Sequence, residues 1–131
     1  MKLKEELVLI ELESASRGEV LTTLGDLLFK YGYVTDDFVQ SVLEREKIFP
    51  TGLSTSPYGV AIPHTDGNKV LKSQIAFASL KNPVQFYEMG NSIAMIDVKL
   101  IFMLAFKEPD EQLKMLQRLT MILQDEEMIL K

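Results

Sequence analysis

One run of nine residues, Val98-Lys99-Leu100-Ile101-Phe102-Met103-Leu104-Ala105-Phe106, constrains the fold more than any other part of the chain. β-branched and aromatic residues suit extended backbone, and successive side chains of a strand point to opposite faces. After Lys99 both faces of this strand are apolar, so it must lie centrally in a sheet covered on both sides. The cover has to come from helices elsewhere in the chain, and three segments carry helical spacing. Val20, Leu21, Leu24, Leu27, Leu28 and Tyr31 form the first stripe, which Gly32 ends. Thr35 is expected to cap a second helix, with Asp36 and Asp37 in its first turn and Phe38, Val39, Val42 and Leu43 on its buried face. That helix must stop before Pro50. Pro109 suits the first position of a third helix, followed by Asp110 and Glu111, with Met115, Leu116, Leu119, Ile122 and Leu123 as its core face.

Strands are expected at 7–12, at Val60–Ile62 and at Ser73–Leu80, with a short one at Val84–Phe86. The segment TGLSTSPYG, 51–59, reads as a loop by its glycine, serine and proline content. The pattern therefore predicts an α/β fold in which a single sheet is flanked by helices on both faces. Strand order and sense are not fixed by it. No repeat or long linker divides the 131 residues, so they make one domain.

Nineteen acidic and fourteen basic residues give a net charge of -5, which argues against a nucleic-acid binder. The absence of cysteine removes disulfides, zinc–thiolate sites and thiol nucleophiles. Glutamates interrupt the apolar run at the N-terminus, so it is not a secretory signal, and no stretch approaches the roughly 18 apolar residues of a membrane span. The chain reads as cytoplasmic.

The sole histidine lies in Gly59-Val60-Ala61-Ile62-Pro63-His64-Thr65-Asp66-Gly67. One imidazole without cysteine cannot build a zinc site, and no calcium-loop, nucleophile-elbow or phosphate-loop pattern occurs. A lone neutral imidazole can still act as a nucleophile toward phosphorus, and such transfer asks for alignment and for donors to the phosphoryl oxygens. Pro63 would help to aim the ring, and the turn after it is expected to leave backbone N–H groups and the Thr65 hydroxyl free as donors. Asp66 should cap a helix or orient a neighbour. On local chemistry alone, a structural histidine at a strand end fits equally well.

The residues Gly59 to His64 resemble the G-x-A-x-P-H motif of the fructose–mannitol class of IIA components (EIIA type 2) of the bacterial sugar phosphotransferase system. Arg45-Glu46-Lys47-Ile48-Phe49-Pro50-Thr51-Gly52 is similar to that family's R-E-x-x-x-x-T-G approach, and the strand Val98–Phe106 followed by an acidic stretch and Gln112-Leu113 matches in order and spacing. The resemblance covers nearly the whole chain. It implies a mixed sheet flanked by helices, and a carrier with no metal or organic cofactor of its own. It implies that His64 takes phosphate from the phosphocarrier protein HPr and hands it to a IIB component, linked indirectly to the membrane through IIC. Arg45 would pair with phosphoryl oxygens or orient a neighbour; as an isolated feature it is equally an exposed charge at a helix end. Mannitol- and fructose-type members carry a second histidine where this chain has Gln112. Glutamine can donate a hydrogen bond there but carries no charge, and it points to the galactitol-type branch. Gln112 reads equally well as a solvent-facing helix residue.

Family members usually continue through another helix, so the resemblance also implies that the domain, residues 1–131, lacks part of the C-terminal helical region. Phe49, Tyr58 and Val60 are candidates for an apolar rim around the site. Beside the transport reading stands a regulatory one, in which phosphorylation of the same site controls binding to a partner. A domain that keeps only the fold as an interaction module is a third.

Overall fold

The computed structural model describes residues 3–55 and 58–123. Its elements run in the order β1 (Val8–Leu12), α1 (Arg17–Lys30), α2 (Phe38–Ile48), β2 (Gly52–Leu53), β3 (Gly59–Ala61), β4 (Gln74–Glu88), β5 (Asn91–Ala105) and α3 (Pro109–Leu123). Short 3₁₀ turns precede β1 at Glu5–Leu7 and follow β3 at Gly67–Lys69.

The backbone of the sheet is an antiparallel hairpin of two fifteen-residue strands, β4 and β5, with Phe77 opposite Phe102. β1 adds parallel to β4, and β3 adds parallel to β5, with Val60 opposite Leu100. β2 pairs antiparallel to β3 and touches the far end of β4. The apolar run 98–106 thus lies between two strands, as its two-sided hydrophobicity demands. Its alternate residues feed two cores. Ile101 and Met103 pack with Val20, Leu24, Leu28, Phe38 and Val42 of α1 and α2, whereas Leu104 packs with Val60, Ile62 and Leu119 on the α3 side. Helices cover both faces of one mixed α/β sheet.

Several local expectations change, among them Tyr31 and Ile122, which are 44% and 40% exposed where buried helix faces were expected. The two strands expected at 73–80 and 84–86 are one strand, because pairing with β5 shifts between Ser79 and Val84. Pro83 sits in this exposed irregularity, where no ladder hydrogen bond is asked of it. The loop 51–59 contains the two residues of β2. Thr35 does not cap α2. Thr35 N–H donates to the Lys69 carbonyl (2.9 Å) and Leu71 N–H to that of Tyr33 (2.8 Å), so residues 33–35 run extended and the helix begins at Phe38. The Thr35 hydroxyl donates to Asp37 at 2.5 Å, and Lys69 Nζ pairs with the same carboxylate at 2.6 Å.

The stops expected at Gly32 and before Pro50 and the start at Pro109 agree with the structure. Ser16 Oγ accepts from Glu19 N–H (3.2 Å) to cap α1, and Gly32 closes that helix with a φ of 81°. Among the described residues, no helix is long and apolar enough to cross a membrane. The C-terminal stretch 124–131, where a shortened helical region was expected, lies outside the described residues.

Candidate active site around His64

β3 delivers the peptide that carries His64. Gly59 makes its approach possible, since a Cβ there would collide with the Asp97 carbonyl oxygen of β5. Beyond β3 each residue is tied to a different neighbour. Ile62 N–H donates to Thr51, to the carbonyl at 3.3 Å and to the hydroxyl oxygen at 3.2 Å. The Pro63 carbonyl accepts from Leu104 N–H at 3.0 Å, which continues the β3–β5 pairing past its end. Thr65 is buried, and its hydroxyl shares a 2.5 Å hydrogen bond with Ser41 of α2. Gly67 then lets the turn lie against the Lys107 carbonyl, where any Cβ would clash.

Within this frame the His64 ring is half-buried, and its Nδ1 lies 2.9 Å from the Ile62 carbonyl oxygen. A carbonyl only accepts, so Nδ1 carries the proton and Nε2 keeps its lone pair. Burial holds the imidazole below its ordinary value of 6.5, and the nearby Arg45 cation pushes the same way. The Ile62 bond and the Asp66 carboxylate oppose this without reversing it. At neutral pH the ring is therefore uncharged, in the state a nucleophile needs.

The three residues singled out by the sequence come together. Arg45, in the last turn of α2, places a guanidinium nitrogen 3.8 Å from Asp66 Oδ1 and stacks over the Phe49 ring at 5.0 Å. Asp66 is exposed, meets Arg45 only at this ion-pair distance and makes no side-chain helix cap. Gln112, in the first turn of α3, donates from Nε2 to the Thr65 carbonyl at 3.2 Å. Arg45 Nε and Gln112 Oε1 are buried and have no hydrogen-bond partner among the described residues. Such orphans are rare in native interiors, and here one is a donor and the other an acceptor beside the same loop.

Other expectations fail. The Thr65 hydroxyl is not free, being held by Ser41. Val60 is fully buried in the α3-side core and cannot line a rim. Tyr58 lies before β3, at the end away from His64, with Lys99 over its ring. Phe49 remains, 59% exposed beside Arg45. No group of three His, Asp or Glu side chains among the described residues is placed to hold a metal.

The sequence assigns no role of their own to two residues of the R-E-x-x-x-x-T-G stretch, Glu46 and Thr51. Glu46 is buried, and its carboxylate accepts from Thr51 N–H at 2.8 Å and from the Thr51 hydroxyl at 2.9 Å. Burial raises its pKa to about 7, against the opposing pull of the two Thr51 bonds and the Arg17 charge. Phe38, Val42 and Glu46 fall at successive i, i+4 positions, so a carboxylate on the buried stripe of α2 was the signal available.

Comparison with known proteins agrees in sequence and in fold. The chain matches the family described as phosphoenolpyruvate-dependent sugar phosphotransferase system, EIIA 2, over residues 1–131. It is 34% identical over 103 residues to the galactitol-specific EIIA component of Escherichia coli, covering 77% of this chain and 67% of that protein. It is 36% identical over 105 residues to the transcriptional regulator ManR of Bacillus subtilis, covering 80% of this chain but spanning only 15% of the regulator. The crystal structure of IIA mannitol from Escherichia coli superposes with a TM-score of 0.79 at 30% identity, over 97% of this chain and 86% of that one. The Escherichia coli mannitol IIA in complex with phosphorylated IIB gives 0.76 at 29% identity, over 96% of this chain and 84% of that one. The chain belongs to the EIIA type 2 family of the sugar phosphotransferase system, whose members transfer phosphoryl groups.

Proposed function

We propose that this chain is a cytoplasmic phosphoryl carrier that accepts phosphate from HPr on Nε2 of His64 and passes it to a IIB component. The observation that carries this reading is the bond between Nδ1 and the Ile62 carbonyl, which leaves Nε2 unprotonated in a ring kept neutral by burial. In each transfer the Nε2 lone pair attacks phosphorus in line. The P–N bond to the donor's imidazole breaks, and the donor ring, protonated on its other nitrogen, keeps that electron pair and leaves as neutral imidazole, so the positive charge passes to the His64 ring. Nε2 has no proton to shed, so nothing has to be removed from it as the new bond forms. Arg45, with Nε unspent, supplies positive charge and donors to the phosphoryl oxygens. Gln112 holds the Thr65 carbonyl and borders the same space. A IIB acceptor, a cysteine in most members, then takes the phosphoryl group by the reverse displacement at Nε2.

Glutamine rather than histidine at position 112, with the 34% identity to a galactitol component, favours a galactitol-type IIB as the acceptor. Incubation with labelled phosphoenolpyruvate, enzyme I and HPr should label this chain and not its His64→Ala variant. The label should then pass faster to a galactitol IIB than to a mannitol IIB. Undiminished labelling of the His64→Ala protein overturns the assignment.

The likeness to ManR supports a second reading, in which phosphorylation of the same site regulates a partner. Label that is never surrendered to any IIB, while phosphorylation changes binding to another protein, would favour it.

A further inference from the structure

Glu46 and Thr51 belong to the R-E-x-x-x-x-T-G stretch, and both are buried. Their hydrogen bonds lead by way of Ile62 to His64. The Thr51 hydroxyl donates to Glu46 Oε1 at 2.9 Å, and Thr51 N–H donates to Oε2 at 2.8 Å. With its proton committed to the carboxylate, the Thr51 hydroxyl oxygen is left as an acceptor and receives Ile62 N–H at 3.2 Å, a donor it shares with the Thr51 carbonyl at 3.3 Å. The other end of the same residue, the Ile62 carbonyl, receives His64 Nδ1–H at 2.9 Å. Burying a carboxylate costs stability, and a well-packed apolar residue at position 46 would avoid that cost. A buried polar chain that ends on the nucleophile's own ring offers a reason to keep it.

We propose that Glu46 and Thr51 are positioning residues that fix the Ile62 carbonyl, and through it hold His64 in the Nδ1–H tautomer with Nε2 aimed outward. The consequence for transfer rests on the phosphoryl-carrier reading, whereas the tautomer itself does not. A misplaced Ile62 carbonyl lets the ring turn or take the Nε2–H tautomer, which blocks the lone pair without removing the nucleophile. Thr51→Val removes the hydroxyl and keeps the shape, while Thr51→Ser keeps the hydroxyl.

The test is long-range ¹H–¹⁵N NMR of the single imidazole in the full chain at pH 8, together with the rate of phosphoryl acceptance from HPr. The unsubstituted protein should show the Nδ1–H tautomer alone. Thr51→Val and Glu46→Gln should show a mixture and accept phosphate about tenfold more slowly, the scale of a small misplacement of reacting atoms. Thr51→Ser should restore both. An Nε2–H ring in the unsubstituted protein overturns the proposal even if the variants do not fold. So does a folded Thr51→Val protein with an unchanged tautomer and rate. If the unsubstituted protein accepts no phosphate at all, the carrier reading fails, and the tautomer populations still decide the role of Glu46 and Thr51.

Discussion

The side of the sheet covered by α1 and α2 differs sharply from the side covered by α3. On the first, Val20, Leu24, Leu28 and Phe38 are fully buried, and even the glutamate on the stripe is enclosed and bonded twice. On the second, Leu119 is the buried residue among the described part of α3, whereas Leu113 and Met121 are 55% and 76% exposed. His64 stands where the two sides meet. Its ring is bonded to the carbonyl of Ile62, whose N–H is tied to Thr51 just after α2 and whose side chain packs on the α3 side. Among the described residues, Gln112 is the α3 side chain hydrogen-bonded to the loop. Aiming a nucleophile needs the rigidity of a packed core, and receiving a partner's phosphate needs groups whose hydrogen bonds are still unspent.

The largest effect should come from the packed side. Phe38→Ala should cost about 3–5 kcal/mol of stability in chemical denaturation, since it empties a fully enclosed site. A much smaller loss would mean that α2 is not a rigid wall behind the site.

The next effect is a pH dependence centred on Glu46. Its folded pKa of about 7 lies above its ordinary 4.5, so the folded state binds this proton more tightly than the unfolded chain does. The resulting stabilisation is complete below pH 4.5 and is lost as the pH rises to about 7, an effect of at most about 3 kcal/mol. His64, whose pKa is lowered, acts in the opposite sense, losing stability as the pH falls below 6.5. The difference between the parent and Glu46→Gln therefore isolates the glutamate: the parent's relative stability should decline from pH 5 to pH 8. A constant difference would show that Glu46 is charged throughout.

Arg45→Gln should slow phosphoryl acceptance by about tenfold, roughly 1.4 kcal/mol in the barrier, and leave the fold intact. It should also raise the His64 pKa, because the cation that helps to depress it is gone. An unmoved His64 titration would separate Arg45 from the site. Gln112→Ala should slow acceptance only a few-fold, about 1 kcal/mol or less, because one neutral hydrogen bond to the Thr65 carbonyl is lost. Leu113→Ala should change stability by no more than about 0.5 kcal/mol, as expected for a side chain already in water.

Much of this contrast was legible in the sequence. The two-sided apolar strand 98–106 required helices on both faces, and the spacing of 20–28, 38–43 and 115–119 supplied them, whereas Tyr31 and Ile122, expected on the same stripes, are exposed. His64, Arg45 and Gln112 were singled out from motifs and do converge on one loop. What could not be read depended on pairing between distant segments. Thr35 lost its capping role to the backbone bonds between 33–35 and 69–72, and Pro83 divided in the sequence a strand that β5 holds together. Val60 and Tyr58 looked alike as rim residues, yet Val60 lies within β3 and is enclosed by the core, while Tyr58 lies before the strand with Lys99 over its ring. The hold on His64 passes through the Ile62 carbonyl, a backbone group that every sequence contains and no motif marks.

Because the chain has one histidine, a single experiment addresses the nucleophile directly. Uniformly ¹⁵N-labelled protein would be followed by ¹⁵N and ³¹P NMR at pH 7 during phosphorylation by phosphoenolpyruvate with catalytic enzyme I and HPr. The starting ring should be neutral with its proton on Nδ1, and the phosphoryl group should appear on Nε2 with Nδ1 still protonated. Phosphorylation at Nδ1, or an unchanged imidazole while the protein takes up phosphate elsewhere, would contradict the claim that the Ile62 bond aims the nucleophile.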